Sequence, residues 1–200
     1  MNFLAHFYLS DLDDSLIIGN FLGDFVKGSQ YEKFPPAVAR GIQLHREIDS
    51  FTDQHSCHLQ SKHRLSAKYG HYAGVAIDMF YDHLLAVQWT DYSDIPLDKF
   101  SQHVYAVLQA NQDVLTPSSE RTLTYMARHD WLLSYQQMEG LSKALSGISQ
   151  RARFRSYLEE AHLELQKDFS DYAHDFSLFF PDLRRHVRDF LNSTHEGSFL

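Results

Sequence analysis

At 200 residues, with 44% hydrophobic and 14% aromatic side chains, the chain has ample apolar surface for a core, which excludes an intrinsically disordered protein. Its 26 acidic against 18 basic residues leave a formal charge of -8, which offers phosphate backbones no broad positive field and excludes nucleic acid as the main partner. The single cysteine, Cys57, excludes an intramolecular disulfide framework and fits a reducing cytoplasm.

Apolar residues recur at three- and four-residue spacing with no strand-length alternation, so the expected fold class is all-α, in a single domain over residues 1–200. Asn2 is placed to cap a short helix through Leu9, and Asp13 or Asp14 to cap a second from Ser15 to about Lys27, with Gly28 as its stop. The N-terminal stretch lacks the basic region of a secretory signal, and no apolar run reaches the roughly 18 residues that span a bilayer, so no membrane partner is expected.

Pro35-Pro36 opens a long helix in which Leu44, Ile48 and Phe51 form one stripe and Val38, Gly41, His45, Asp49 and Thr52 a neighbouring one. Tyr69-Gly70 breaks the chain before a helix from about Tyr72 to Val87 that is apolar almost all round, the pattern of a central, buried element. Next come Leu97 to Leu115, a helix from Pro117 toward His129, one through Tyr135 and Leu145, and a last from about Phe154 to Phe190 that Pro181 should kink or break. The tail after Leu191 is expected to fray.

Candidate metal ligands fall in pairs four residues apart: Asn20 with Asp24, His45 with Asp49, and Asp78 with Asp82. One helical turn separates the members of each pair, so facing helices that carry them can surround a divalent cation with imidazole and carboxylate. Asp78 and Asp82 share a stripe with Val75 and Leu85, where an unpartnered buried carboxylate costs several kcal/mol. HREIDSFTD adds Arg46 and Asp53, the arginine suited to phosphate charge.

Gly19 and Gly23 weaken their helix unless another element approaches its backbone closely. His6, on an apolar element, is by itself more often a core histidine than a ligand. The doublets His129-Asp130 and His174-Asp175 are surface or structural, and His55, His58 and His63 beside Cys57 are taken as a solvated helix end or loop rather than a soft-metal site. Dinucleotide, phosphate-loop and nucleophile-elbow motifs are absent.

The stretches MNFLAH, GNFLGDFVKG, FPPAVARGIQLHREIDSFTD and IDMFYDHLLAVQW, with DWLLSYQQM and SGISQRAR further on, resemble the acyl carrier protein phosphodiesterases through most of the chain. The resemblance implies hydrolysis of the phosphodiester between 4′-phosphopantetheine and a carrier-protein serine, a divalent metal with manganese favoured over magnesium or other ions, and a helical fold distantly related to the HD phosphohydrolases. The adjacent His-Asp doublet of the HD pattern has no counterpart in these motifs, where His45 and Asp49 stand a turn apart. Functional residues carry over at Asp24 and at His6, His45, Asp49, Asp78 and Asp82.

On that resemblance, His6, Asp24, His45 and Asp82 are expected to hold metal, with Asp49 or Asp78 orienting the attacking water or completing the ligand shell. Arg46 and Asn20 would meet the phosphoryl oxygens, and His83 would be a general acid for the leaving serine oxygen. The partner is holo acyl carrier protein, small and acidic, met through Arg151, Arg153 and Arg155 or through Arg184, Arg185 and Arg188. The rivals are a phosphohydrolase of nucleotides or small phosphodiesters, and a non-catalytic helical protein that binds an ion or a partner.

Overall fold

The computed structural model describes residues 1–196, and side chains through residue 193. Every regular element among the described residues is helical. Helices α1 (Phe3–Tyr8), α2 (Asp14–Leu22) and α3 (Pro36–Gln54) lead into α4 (Ser56–Tyr69) and α5 (Ala73–Val87). Then follow α6 (Leu97–Ala110), α7 (Pro117–His129), α8 (Trp131–Ser134), α9 (Met138–Arg151), α10 (Ala161–Lys167) and α11 (Phe169–Glu196), joined by turns and short 3-10 segments.

Helix α5 is the centre of the packing, as its nearly all-round apolar pattern requires: Ile77, Phe80, Tyr81, Leu84 and Leu85 are fully buried. Tyr81 packs against Phe176 and Phe179 of α11, with ring centroids 5.4 and 5.2 Å away, and Phe80 meets Tyr172 edge-on at 5.2 Å. Each such side chain contributes roughly 1.5–3 kcal/mol by leaving water. One buried network crosses this interface: Asp175 accepts from Ser61 at 2.7 Å and pairs with Arg64, and Tyr81 donates to Ser61 at 3.1 Å. Asp175 of the second His-Asp doublet is therefore structural, while His174 is exposed.

Helices α2 and α3 touch backbone to backbone. A Cβ at Gly19 would lie 2.2 Å from the Val38 carbonyl oxygen and 2.6 Å from Gly41 Cα, so the crossing needs glycine on both helices. The close approach anticipated for Gly19 is this helix contact.

Several boundaries differ from those expected. Helix α2 is capped by Asp13, which accepts from the Leu16 amide at 2.9 Å, but it ends at Leu22, well before Gly28. Of His55, His58 and His63, read as a solvated helix end or loop, His55 caps α4 and the other two lie on it, and the helix's buried face of His58, Ser61, Leu65 and Tyr69 recurs at three and four residues. The helix expected through Tyr135 splits because Gly140 packs its α-carbon onto Ser134: a Cβ would meet the Ser134 carbonyl oxygen at 2.0 Å.

The expected last helix begins later and splits as well. Tyr157 adopts the left-handed region (φ 57°) and Asp168 leaves helical geometry (φ -116°, ψ 33°), which separates α10 from α11. Helix α11 continues through Pro181 without a break. The ring removes one amide bond and crowds the Ser177 carbonyl at about 3 kcal/mol, which the full burial of Phe176, Phe179, Phe180 and Leu183 outweighs. Residues 191–196 continue α11, and the rest of the tail expected to fray lies outside the described residues.

Candidate metal centre

The glycine contact between α2 and α3 brings Asn20 beside His45, and α1 lays His6 against both. The two imidazoles stack, centroids 4.1 Å apart and 18° from parallel. Asn20 holds both rings: its side-chain oxygen lies 2.8 Å from His6 Nδ1 and its main-chain oxygen 2.9 Å from His45 Nδ1. Its own amide nitrogen donates to the His6 carbonyl at 2.8 Å and to Ser10 Oγ at 3.0 Å, which fixes which way the amide points.

Carbonyl-type oxygens only accept, so each Nδ1 carries the proton and each Nε2 is left with a lone pair. Both lone pairs point at one carboxylate. His6 Nε2 is 3.2 Å from Asp49 Oδ1, and His45 Nε2 is 3.2 Å from Asp49 Oδ2 and 3.7 Å from Asp24 Oδ1. Ligand atoms of His6, His45 and Asp49 all lie within 4.8 Å of one another.

Lone pairs facing carboxylate oxygen repel unless a proton or a cation lies between them. His6 Nε2 is buried and, although 3.2 Å from Asp49, makes no aligned hydrogen bond, so its hydrogen-bonding capacity is left unsatisfied by the protein. Two neutral imidazoles, each oriented through its other nitrogen, with a carboxylate between them and a second at the edge, form a donor set that fits a divalent transition ion. Without such an ion, burial works against a charge on His45, but Asp49 and Asp24 outweigh it and raise its pKa. Burial and the neighbouring His45 lower that of His6. Asp49 is held far below the usual carboxylate range: burial opposes this, and the two imidazoles prevail.

Gly23 makes room for this arrangement, since a Cβ there would sit 2.1 Å from His45 Cγ. Asp24 follows in the turn after α2, its side chain half exposed. Arg46 secures the loop beyond it by donating to the carbonyls of Val26 at 3.1 Å and Gly28 at 2.7 Å, with its guanidinium over the Tyr31 ring at 5.1 Å.

The pair on α5 divides. Asp78 Oδ1 lies 3.1 Å from the Met1 amino group and 3.3 Å from His58 Nε2, and the same amino group is 3.8 Å from Asp49. Burial opposes its ionisation, and those two groups overcome the penalty and lower its pKa. His58 and the amino group are the neighbours that reading by motif missed. His58, only 1% exposed, was signalled by its place on the apolar face of α4.

Asp82 does not join the cluster of His6, His45 and Asp49. Fully buried, it accepts the Leu4 amide with Oδ2 at 2.7 Å and the Ala5 amide with Oδ1 at 3.2 Å, so it caps α1 from a distant helix. Asn2, in the expected cap position, makes no cap bond and instead donates to Tyr135 Oη at 3.3 Å. His83 is turned elsewhere too: its ring is 3% exposed, with Nδ1 2.7 Å from the Tyr135 carbonyl oxygen, and burial lowers its pKa.

Burial pushes Asp82 up to about 7, against the pull of the two amides. A carboxylate whose folded pKa exceeds its unfolded value stabilises most at low pH, and the advantage is lost as pH rises through the folded value. Asp82→Asn, whose NH2 faces one of the two amides, is expected to destabilise the chain by about 2 kcal/mol, more at pH 6 than at pH 8. Urea unfolding of both proteins at the two pH values checks this, and a pH-independent difference contradicts the raised pKa.

The family model described as "Acyl carrier protein phosphodiesterase" matches residues 1–183. A protein of that name from Photorhabdus laumondii is 28% identical over 182 residues, covering 90% of this chain and 92% of its own length. One from Escherichia coli is 31% identical over 187 residues, 90% of this chain and 94% of its own. One from Yersinia enterocolitica is 28% identical over 190 residues, 94% and 98% of the two chains. No solved structure matches, so the likeness to the HD fold stays an expectation, while the all-α class stands on the helices themselves. With the family model spanning nearly the whole described chain and these relatives aligned along more than nine-tenths of their lengths, the chain belongs to the acyl carrier protein phosphodiesterase family.

Proposed function

We propose that the chain hydrolyses the phosphodiester joining 4′-phosphopantetheine to the serine of holo acyl carrier protein, in a metal-dependent reaction centred on His6, His45 and Asp49. Family membership supports the substrate. The observation that carries the metal is the pair of Nε2 lone pairs, at 3.2 Å from the two oxygens of one carboxylate.

In this reading His6 Nε2, His45 Nε2 and Asp49 hold a divalent cation, with Asp24 at the edge. Manganese is favoured because Asp24, Asp49 and Asp78 make the surroundings rich in hard oxygen. Such an ion, when bound, supplies positive charge at the phosphodiester and lowers the pKa of a water. Asn20 keeps both imidazoles in the tautomer that leaves Nε2 bare, which makes it a positioning residue and not a donor to the phosphate.

Asp78, kept ionised by its neighbours, accepts the proton of the attacking water, with His58 Nε2 beside it to share the charge. Arg46 holds the turn that carries Asp24, since its guanidinium is bonded to two carbonyls. The leaving serine oxygen takes its proton from a group other than His83, which is occupied by Tyr135. A carrier-protein substrate supports a cytoplasmic location for the reaction.

The test is intact-mass spectrometry of holo carrier protein after incubation with metal-stripped enzyme, with and without manganese. Loss of the phosphopantetheine group only with metal is the expected result. Cleavage that persists in excess chelator removes the metal from the proposal. Turnover of a nucleotide panel with no cleavage of carrier protein replaces the substrate.

A further inference from the structure

A groove of about 540 Å³ opens between α1, α5, α8 and α9, within the range of small-molecule sites. Its walls include Phe3, Met79, Trp131 and Ile148, interrupted by isolated polar groups at Asn2 and Gln137. It begins beside the metal centre: Asn2 follows Met1, whose amino group is 3.8 Å from Asp49, and Phe3 stands one helical turn from His6.

We infer that this groove binds the pantetheine arm of the substrate while the phosphodiester lies at the metal centre, an assignment that rests on the function proposed above. Pantetheine is a narrow chain of two amides, a hydroxyl, a dimethyl-substituted carbon and a thiol, which asks for apolar walls with a few spaced polar partners. The groove supplies that pattern, and its Asn2 and Phe3 end adjoins the centre.

Two further observations favour this occupant. Helix α9 keeps its groove face bare at Gly147, where a Cβ would meet only Arg151 Nη1, at 3.6 Å. Charge agrees as well: in a chain of net charge -8, the groove carries Lys143 and Arg151 against a single acid, Glu139, which Lys143 already pairs at 2.8 Å. Arg151 has no carboxylate partner among the described residues and draws the anionic phosphopantetheine inward.

Trp131 reports on the groove directly, because Trp89, the other tryptophan, is buried and donates to the Ile95 carbonyl at 2.7 Å. Titrating the enzyme with pantetheine is expected to give a saturable change in emission that Trp131→Phe abolishes. Gly147→Leu, which fills the groove and favours helix, is expected to weaken that binding about tenfold or more and to raise KM for holo carrier protein similarly, with circular dichroism and melting unimpaired.

No saturable change at millimolar pantetheine, or an equal one in Gly147→Leu, overturns the groove assignment whatever the carrier protein does. Pantetheine binding that Gly147→Leu abolishes, with holo carrier protein left intact by the wild type, overturns the proposed reaction and leaves the groove standing.

Discussion

Asp49→Ala is expected to lower kcat/KM for holo carrier protein by about 1,000-fold, because it removes the one carboxylate that both imidazoles face and with it several kcal/mol of transition-state stabilisation. Manganese affinity, read by calorimetry or by the free-ion resonance signal, should fall by at least about 100-fold. Stability in the metal-free state should change little: the side chain is 44% exposed, and solvent screens its pairing with His45. The residual effect has a sign. A carboxylate with a depressed pKa stabilises above its unfolded value and loses that contribution as pH falls. The stability gap between metal-free wild type and Asp49→Ala should therefore begin to narrow as pH falls below about 4 and go on narrowing at lower pH. Wild-type manganese affinity in the variant would remove Asp49 from the centre and the metal from these three residues.

The spacing of polar residues foretold a meeting of helices better than it foretold which side chains take part. His45 and Asp49 are one turn apart on a helix whose apolar stripe is easily read, so their common face at the core border followed from the sequence. Asn20 and Asp24 share their turn too, yet Asn20 works through its carbonyl oxygens on two imidazoles, a role no spacing encodes. The helix also stops between them, at Leu22, which leaves Asp24 in a turn.

Asp78 and Asp82 show the limit most plainly. One stripe of a largely buried helix is met by different neighbours along its length, here the Met1 amino group and His58 at one position and the bare amides of α1 at the next. The correct inference was that a buried carboxylate needs partners. Its partners for Asp82 are backbone groups 77 and 78 residues away in sequence, which no local pattern reports. Gly19 and Gly23, by contrast, were legible through their cost to the helix, and both lie where another group comes too close for a Cβ.

Gly23→Ala turns that closeness into the second large expected effect, at a residue that binds nothing. The backbone at Gly23 is right-handed helical (φ -53°, ψ -36°), so alanine is conformationally welcome and even favoured. The new methyl nonetheless falls 2.1 Å from His45 Cγ and 2.5 Å from Cδ2, which no rotamer of alanine avoids. Either the ring or the turn must yield, and both carry the centre, because Asp24 is the next residue and Nε2 belongs to that ring. A displacement near 1 Å should cost about 100-fold in kcat, with manganese affinity reduced and global stability down by about 1–3 kcal/mol. A merely destabilising substitution would not distinguish itself from a damaged centre, so the decisive comparison is with His45→Gly, which removes both the ring and the Cβ that the methyl strikes. Gly23→Ala in the His45→Gly background should then cost little further activity or stability, since their shared contact is gone. Fully additive losses in the double variant would show that Gly23 acts on something other than His45, and the account of why α2 ends in glycine there would have to be given up.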